Sequence, residues 1–361
     1  MKRVLLMAHQ LNLGGTERQL TEIAKALDRA RFEPHVGCFH SEGIRADELR
    51  AAGVPILRLP VTSFVSASAI SCALRLRRYI RDHRIDLVHT FDVPLNVFGV
   101  PVARMSRAPV VVSSQRAHRD LTPGLYHGLL RITDRLVDAV VVNCEFMRRH
   151  LIDDDHVPER LIHLCYNGID LEVFRPQAAP RQPEIVIGVV CALRPEKGLP
   201  TLLEAFARLH PKHAGLKLVL VGDGPSKPAL QAQAAELEIL DACTFAPTTN
   251  RVADWLRSFD IFVLPSKSEA LSNALMEAMA CGCCVVASRV GGNPELTGED
   301  ERGLLFDAGN SAQLAAALER LIAAPELRAD LAAKATNFIH SGFSLAASAQ
   351  RMGAIYDSLI Y

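Results

Sequence analysis

The stretch Ile261 to Glu295, IFVLPSKSEALSNALMEAMACGCCVVASRVGGNPE, constrains the fold more than any other part of the chain. Ile261 to Leu264 is a short apolar run closed by Pro265 and Ser266, the pattern of a strand buried on both faces of a parallel sheet. Ser272 and Asn273 are good N-cap residues, and Ala274 to Ala280 is built from strong helix formers. A second apolar run, CVVAS, and a Gly-Gly loop follow. The unit therefore reads strand, loop, helix, strand, glycine loop. It places Glu269 on the loop leaving the strand and Glu277 inside the helix. In open parallel sheets ligands bind beyond the carboxyl ends of the strands, where a helix N-terminus attracts anions. Carboxylates repel phosphate but accept hydrogen bonds from sugar hydroxyls. A phosphate seat at Ser272, Asn273 and Ala274 beside Glu269 and Glu277 suits a nucleotide sugar. The pair read alone is equally well a charge at a helix dipole and a solvated face.

The same alternation recurs along the chain. Val4 to Ala8 is an apolar run, followed by a polar loop with Gly14 and Gly15 and a helix pattern from Thr16 to Leu27. A Gly-Gly at such a turn either brings backbone amides to a phosphate or simply turns the chain. Further strands are expected at His35–Phe39, Ile56–Leu59, Asp86–Thr90, Val110–Ser113 and Ala139–Asn143, with helices between. This spacing implies a parallel sheet covered on both faces. QAAPRQP at 177–183 reads as a linker, and the alternation restarts at Ile185–Val190. The chain thus divides into a first domain at 1–176, the linker, a second domain at 184–343 and a closing amphipathic helix at 344–361.

Composition excludes several classes. The 361 residues are 49% apolar and 22% charged, with 40 basic and 40 acidic side chains, so no nucleic-acid partner is expected. Residues 1–180 hold about four more basic than acidic side chains. The helix SCALRLRRYIRDHR accounts for much of this excess, as a solvated face or a membrane-surface contact. The nine cysteines show no secreted spacing, and the opening apolar residues read as strand, which points to reducing cytoplasm. Cys281, Cys283 and Cys284 lack a second ligand pair, so they read as packed small hydrophobes rather than a metal site. No apolar run reaches the ~20 residues that span a bilayer. GDGPSK at Gly222 begins like a dinucleotide loop but lacks its third glycine.

The donor stretch resembles the signature of the retaining glycosyltransferases of family 4, or group 1. There, two glutamates separated by seven residues precede Gly-Gly-x-x-Glu; here these are Glu269, Glu277 and Gly291-Gly292-Asn293-Pro294-Glu295. GGTERQL resembles the family's first glycine loop, Tyr166-Asn167-Gly168-Ile169-Asp170 the exit from its first domain, and VGDGP, with Asp223, a turn of its second. The resemblance covers essentially the whole chain. It implies two Rossmann-like, doubly wound α/β domains facing across a cleft (GT-B), with the last helix returning to the first domain. It also implies transfer from a nucleoside diphosphate sugar to a glycan, lipid-linked or small-molecule hydroxyl, with retention. The expected setting is cell-surface polysaccharide or glycolipid synthesis, in the cytoplasm or at the inner membrane face. No resident cofactor or metal is expected.

Residue roles follow from the same resemblance. Lys197 and Arg194 would hold the diphosphate, Arg194 standing in for a family arginine whose position is Ala192 here. Glu269 would bind the sugar hydroxyls, Glu277 the ribose and Glu295 the donor. FAPTTNR at 245–251 would lie near the base. His89, Arg116 and His118 are placed on the acceptor side with Asn167, although the family's histidine position holds Gln115 or Arg116. Two other readings stand beside transfer: another enzyme of the same architecture, such as a sugar-nucleotide epimerase or phosphorylase, and a binding protein without turnover.

Overall fold

The computed structural model describes residues 1–12, 14–119, 122, 124–177 and 184–360. The chain divides into two compact units, residues 1–168 with 345–361 and residues 169–344. The division falls at Gly168 and Ser344, ahead of the expected junction at 177–183, of which 178–183 lie outside the described residues.

Unit 1 runs β1 (Lys2–Gln10), α1 (Gly15–Ala26), β2 (Phe32–His40), α2 (Ile44–Ala51), β3 (Ile56–Arg58), α3 (Ala67–Asp82), β4 (Leu87–Thr90) and α4 (Val93–Met105). It continues through β5 (Val110–Gln115), α5 (Gly124–Thr133), β6 (Ala139–Val142), α6 (Glu145–Asp153) and β7 (Ile162–Leu164). All strands pair in parallel, in the order β3-β2-β1-β4-β5-β6-β7. Unbroken apolar runs make the central strands: Val4 to Ala8 are all fully buried, as a sheet covered on both faces requires.

Unit 2 runs β8 (Val186–Val190), α7 (Leu199–Leu209), β9 (Lys217–Val221), α8 (Lys227–Glu236), β10 (Cys243–Ala246), α9 (Val252–Arg257), β11 (Ile261–Leu264) and α10 (Asn273–Ala280). Then come β12 (Cys284–Ser288), α11 (Asn293–Thr297), β13 (Leu304–Phe306), α12 (Ser311–Ala323) and α13 (Pro325–Gly342). Its parallel order is β10-β9-β8-β11-β12-β13. In both sheets the first strand of the unit lies beside the fourth, and strands run outward from that point in opposite directions. Both are therefore doubly wound, Rossmann-like sheets, as expected, with one switch point each. The short strands β7 and β10 were not anticipated. β7 has only three residues, and β10 buries only Ala246, so neither carries an apolar run.

The last helix, α14 (Leu345–Leu359), belongs to unit 1, where it packs on α1. It buries Met352 and Tyr356 completely. Tyr356 Oη lies 2.7 Å from His89 Nδ1, and His89 Nε2 lies 2.8 Å from Ser114 Oγ, so a hydrogen-bonded row joins α14, β4 and β5. Burial, reinforced by Arg116, holds His89 well below its ordinary pKa. His89 is therefore a neutral core residue with both ring nitrogens satisfied and no surface exposed, which corrects the expectation that it meets an acceptor.

Tyr356→Phe would leave His89 Nδ1 buried and unpaired. The cost should be about 1–3 kcal/mol, read as a lower urea midpoint with far-UV circular dichroism retained. An unmoved midpoint would show that the row contributes nothing to unit 1.

Candidate functional site

At the switch point of unit 2, the loops leaving β8 and β11 stand side by side. The first makes a 3-10 turn, Pro195–Lys197, and the second carries residues 265–272 to α10. They are joined through the backbone: Lys267 N donates to Glu196 O at 2.8 Å. Gly198 has φ +64°, and a Cβ there would stand 2.0 Å from Pro265 O, so only glycine lets the loops close this far. The loop after β12 completes the stack. Gly292 N donates to Ala270 O at 2.6 Å, and a Cβ at Gly291 (φ +55°) would lie 2.0 Å from Glu269 O. Ser288 Oγ donates to Ser266 O at 2.6 Å from beneath. The Gly-Gly motif thus fixes the backbone of Glu269, a structural part that the sequence pattern alone did not specify.

On this scaffold Lys197 Nζ donates to Glu269 Oε1 at 2.6 Å, and Ser266 Oγ donates to the same oxygen at 2.7 Å. Lys197 is 24% exposed and Glu269 12%, so the pair is partly desolvated yet reachable. Ser266, wholly buried, was anticipated only as a strand terminator. Ser272 caps α10, its Oγ accepting from Leu275 N at 3.3 Å. The first-turn amides of Asn273 and Ala274 open that helix at the same edge of the sheet, and both residues are half-buried. Glu277, one turn further along α10, is 5% exposed. Glu295 is half-buried in the first turn of α11. A cation, a helix N-terminus and carboxylates are thereby set along one edge, which can hold an anion and accept from hydroxyls.

Two expected members behave differently. Arg194 is not brought to the pair: its side chain is 62% exposed, its nearest carboxylate Glu196 at 3.9 Å. The physical reason is that Leu193 turns fully into the core, which sends its neighbour outward. Asp223 is exposed and its Oδ1 accepts from Gly224 N at 2.8 Å, fixing the turn after β9. A cavity of ≈ 570 Å³ opens at the opposite edge of this sheet, against Asp260, Cys284 and Arg328, away from the pair. Cys281, Cys283 and Cys284 are free and buried, and burial pushes the Cys281 and Cys284 thiols up to about 12, so they pack as apolar groups.

In unit 1 the loop after β1 is already occupied by the chain itself. The Glu17 carboxylate lies directly over Gly14, and Gln10 Nε2 donates to its Oε1 at 3.2 Å. A phosphate at Gly14 and Gly15 would have to displace the Glu17 carboxylate. One residue missed in the sequence stands at this switch point. Asp92 caps α4, its Oδ1 accepting from Leu95 N at 3.0 Å and its Oδ2 from His9 N at 2.5 Å. Burial, opposed by those two amides, pushes Asp92 up to about 7. Asp92 precedes a Pro-containing first turn, a cap signal visible in the sequence; its place at the switch required the strand order.

The remaining expected residues lie at the ends of β5 and β7. Arg116 donates to Asn167 Oδ1 and lies over the Phe91 ring, while its Nη1 is buried without a hydrogen-bond partner. His118 stacks on His150 at 3.9 Å, above a buried ion pair in which Arg119 holds Asp134 through two bonds of 2.8 and 3.0 Å.

Comparison with known proteins gives the family of the chain. Residues 170–338 match the family model for glycosyl transferases group 1, and residues 13–173 match that for glycosyltransferase family 4. The chain belongs to the group 1 glycosyltransferases. It is 28% identical, over 89% of each chain, to the GDP-mannose-dependent alpha-(1-6)-phosphatidylinositol monomannoside mannosyltransferase of Mycobacterium tuberculosis. It is 30% identical to a D-inositol 3-phosphate glycosyltransferase of Thermobispora bispora, over 62% of this chain and 57% of that one. Among solved structures it is similar to HepE of Anabaena, in complex with UDP and glucose. The TM-score is 0.87 at 21% identity, over 99% of this chain and 100% of that one, a likeness of fold. The fold of this glycosyltransferase is thus GT-B.

Gly291→Ala tests the stack. Left-handed backbone costs alanine about 1–2 kcal/mol, and the added Cβ must push Glu269 aside. Both a lower melting temperature and weaker nucleotide binding by calorimetry are expected; wild-type values of each would show that the Gly-Gly loop does not set Glu269.

Proposed function

We propose that this glycosyltransferase moves a sugar from a nucleoside diphosphate donor to a hydroxyl acceptor with retention at the anomeric carbon, and that unit 2 holds the donor. The Lys197–Glu269 pair at the switch point carries the reading. Glu269 accepts from sugar hydroxyls and Glu277 from the ribose. Lys197 and the first-turn amides of α10 take the diphosphate, stabilising charge as the nucleotide departs. When a diphosphate arrives, Lys197 exchanges a carboxylate for phosphate oxygens, and Ser266 keeps Glu269 in place. The donor is itself the activated substrate, so we propose no resident cofactor or metal.

The dependence of the mycobacterial relative on GDP-mannose supports a nucleoside diphosphate hexose. The inositol-based acceptors named for two relatives support a polyol, glycan or lipid-linked hydroxyl, and we place the reaction in polysaccharide or glycolipid synthesis, at the cytoplasmic side of a membrane. No helix among the described residues is long and apolar enough to cross a membrane.

Lys197→Ala and Glu269→Ala should each lower kcat by roughly 10²–10³, the usual effect of losing one charge-stabilising contact, in a labelled-sugar transfer assay over a panel of donors. Unchanged turnover in both would leave the pair as a binding feature only, and conversion of donor without acceptor would indicate an epimerase. Proton NMR of the product should show the donor's anomeric configuration, and activity should persist in EDTA; inversion or loss of activity would refute retention or metal independence respectively.

A further inference from the structure

The loops around Glu269 fix its backbone, but its side chain still turns about its own χ bonds. What holds the carboxylate is divided unequally between its oxygens. Oε1 accepts from Lys197 Nζ at 2.6 Å and from Ser266 Oγ at 2.7 Å, while Oε2 accepts from none of the described residues. Once a diphosphate draws Lys197 away, Ser266 is the one described side chain still bonded to the carboxylate.

Ser266 does not stand alone. It is the near end of a ladder of polar groups that crosses β11, β12 and α11. Asn293, the first residue of α11, donates from Nδ2 to Ser288 O at 3.0 Å. Ser288, the last residue of β12, donates from Oγ to Ser266 O at 2.6 Å. Thr297 Oγ1 closes the far end on Asn293 O at 3.0 Å. Ser266, Ser288, Asn293 and Thr297 are all fully buried, so bulk water does not compete for these bonds and each one restrains the next. Asn293 Oδ1 is buried without a hydrogen-bond partner. An amide left half unsatisfied in the core costs stability that an apolar side chain would not. What this amide supplies against that cost is the Nδ2 bond to Ser288.

We propose that Asn293 is a positioning residue for Glu269. Acting through Ser288 and Ser266, it holds Oε1 so that Oε2 faces the sugar of the donor whether or not Lys197 is in contact. Glu295 lies on the same short helix, two residues on, so one buried amide also sets the spacing between two carboxylates at this edge. The inference rests on the donor reading, in which Glu269 meets the sugar; it assigns the oxygen that does so and the group that keeps it there.

Transfer kinetics and calorimetry together test it, with UDP-glucose and GDP-mannose as donors and with UDP and GDP as probes of the nucleotide alone. Ser266→Ala and Asn293→Ala should each lower kcat about fivefold, the equilibrium weight of one buried hydrogen bond. The dissociation constant of the nucleoside diphosphate should stay at its wild-type value, because neither substitution touches its contacts. On a Glu269→Ala background neither should lower kcat further, since the group they position is gone. Wild-type kcat in both variants, where Glu269→Ala is impaired, overturns the ladder alone. Wild-type kcat in Glu269→Ala overturns the donor reading and the ladder with it. Losses that add on the Glu269→Ala background, or parallel weakening of UDP or GDP binding, would make Asn293 a structural residue of unit 2 and likewise overturn the proposal.

Discussion

Parallel strands cannot be joined by a tight turn, and that single restriction organises each unit. Every strand must be followed by a crossover, every crossover here is or contains a helix, and every strand therefore ends at the same edge. Where the order reverses beside the first strand, the loops leaving the first and fourth strands meet at that edge. In unit 2 those loops carry Lys197 and Glu269. Chemistry at this edge is a by-product of topology, since the backbone could not have placed the two side chains together by any local contact; 72 positions separate them in the chain.

The pair is only partly removed from water. A fully buried ion pair loses in desolvation much of what its attraction supplies, and an exposed one is worth little. Between those limits, at 24% and 12% exposure, the ammonium can trade a carboxylate for another anion at small cost. The backbone bonds around it are not free to trade: Lys267 to Glu196, Gly292 to Ala270 and Ser288 to Ser266 hold the loops irrespective of what Lys197 does. Rigid backbone with an exchangeable side-chain contact is what electrostatic preorganisation requires.

Elements with long apolar runs were legible in the sequence. β1, β8, β11 and α10 stand close to where periodicity and caps put them, because burial leaves an unbroken apolar signature. β7 and β10 sit at or near sheet edges, are short, and mix polar with apolar residues, so they left no such mark. At the site, the glutamates and Lys197 could be located from spacing, but their partners could not. Ser266 looks like any loop serine until Ser288 arrives from the next strand and Glu269 turns back from the same loop. Arg194 was misplaced because the inward turn of Leu193 beyond the end of β8, which sends Arg194 outward, is visible only in the structure. His89 was misread because its partner, Tyr356, is visible only in three dimensions.

The ownership of α14 has a bearing on synthesis. Unit 2 is one uninterrupted segment, while unit 1 takes its first 168 residues from one side of that segment and α14 from the other. On the ribosome, the sheet of unit 1 emerges early but must wait, with the seat for Tyr356 unfilled, until all of unit 2 has been made. The portion that starts first is therefore the one that finishes last, and the seat beside His89 and Phe32 stays uncovered until α14 is made.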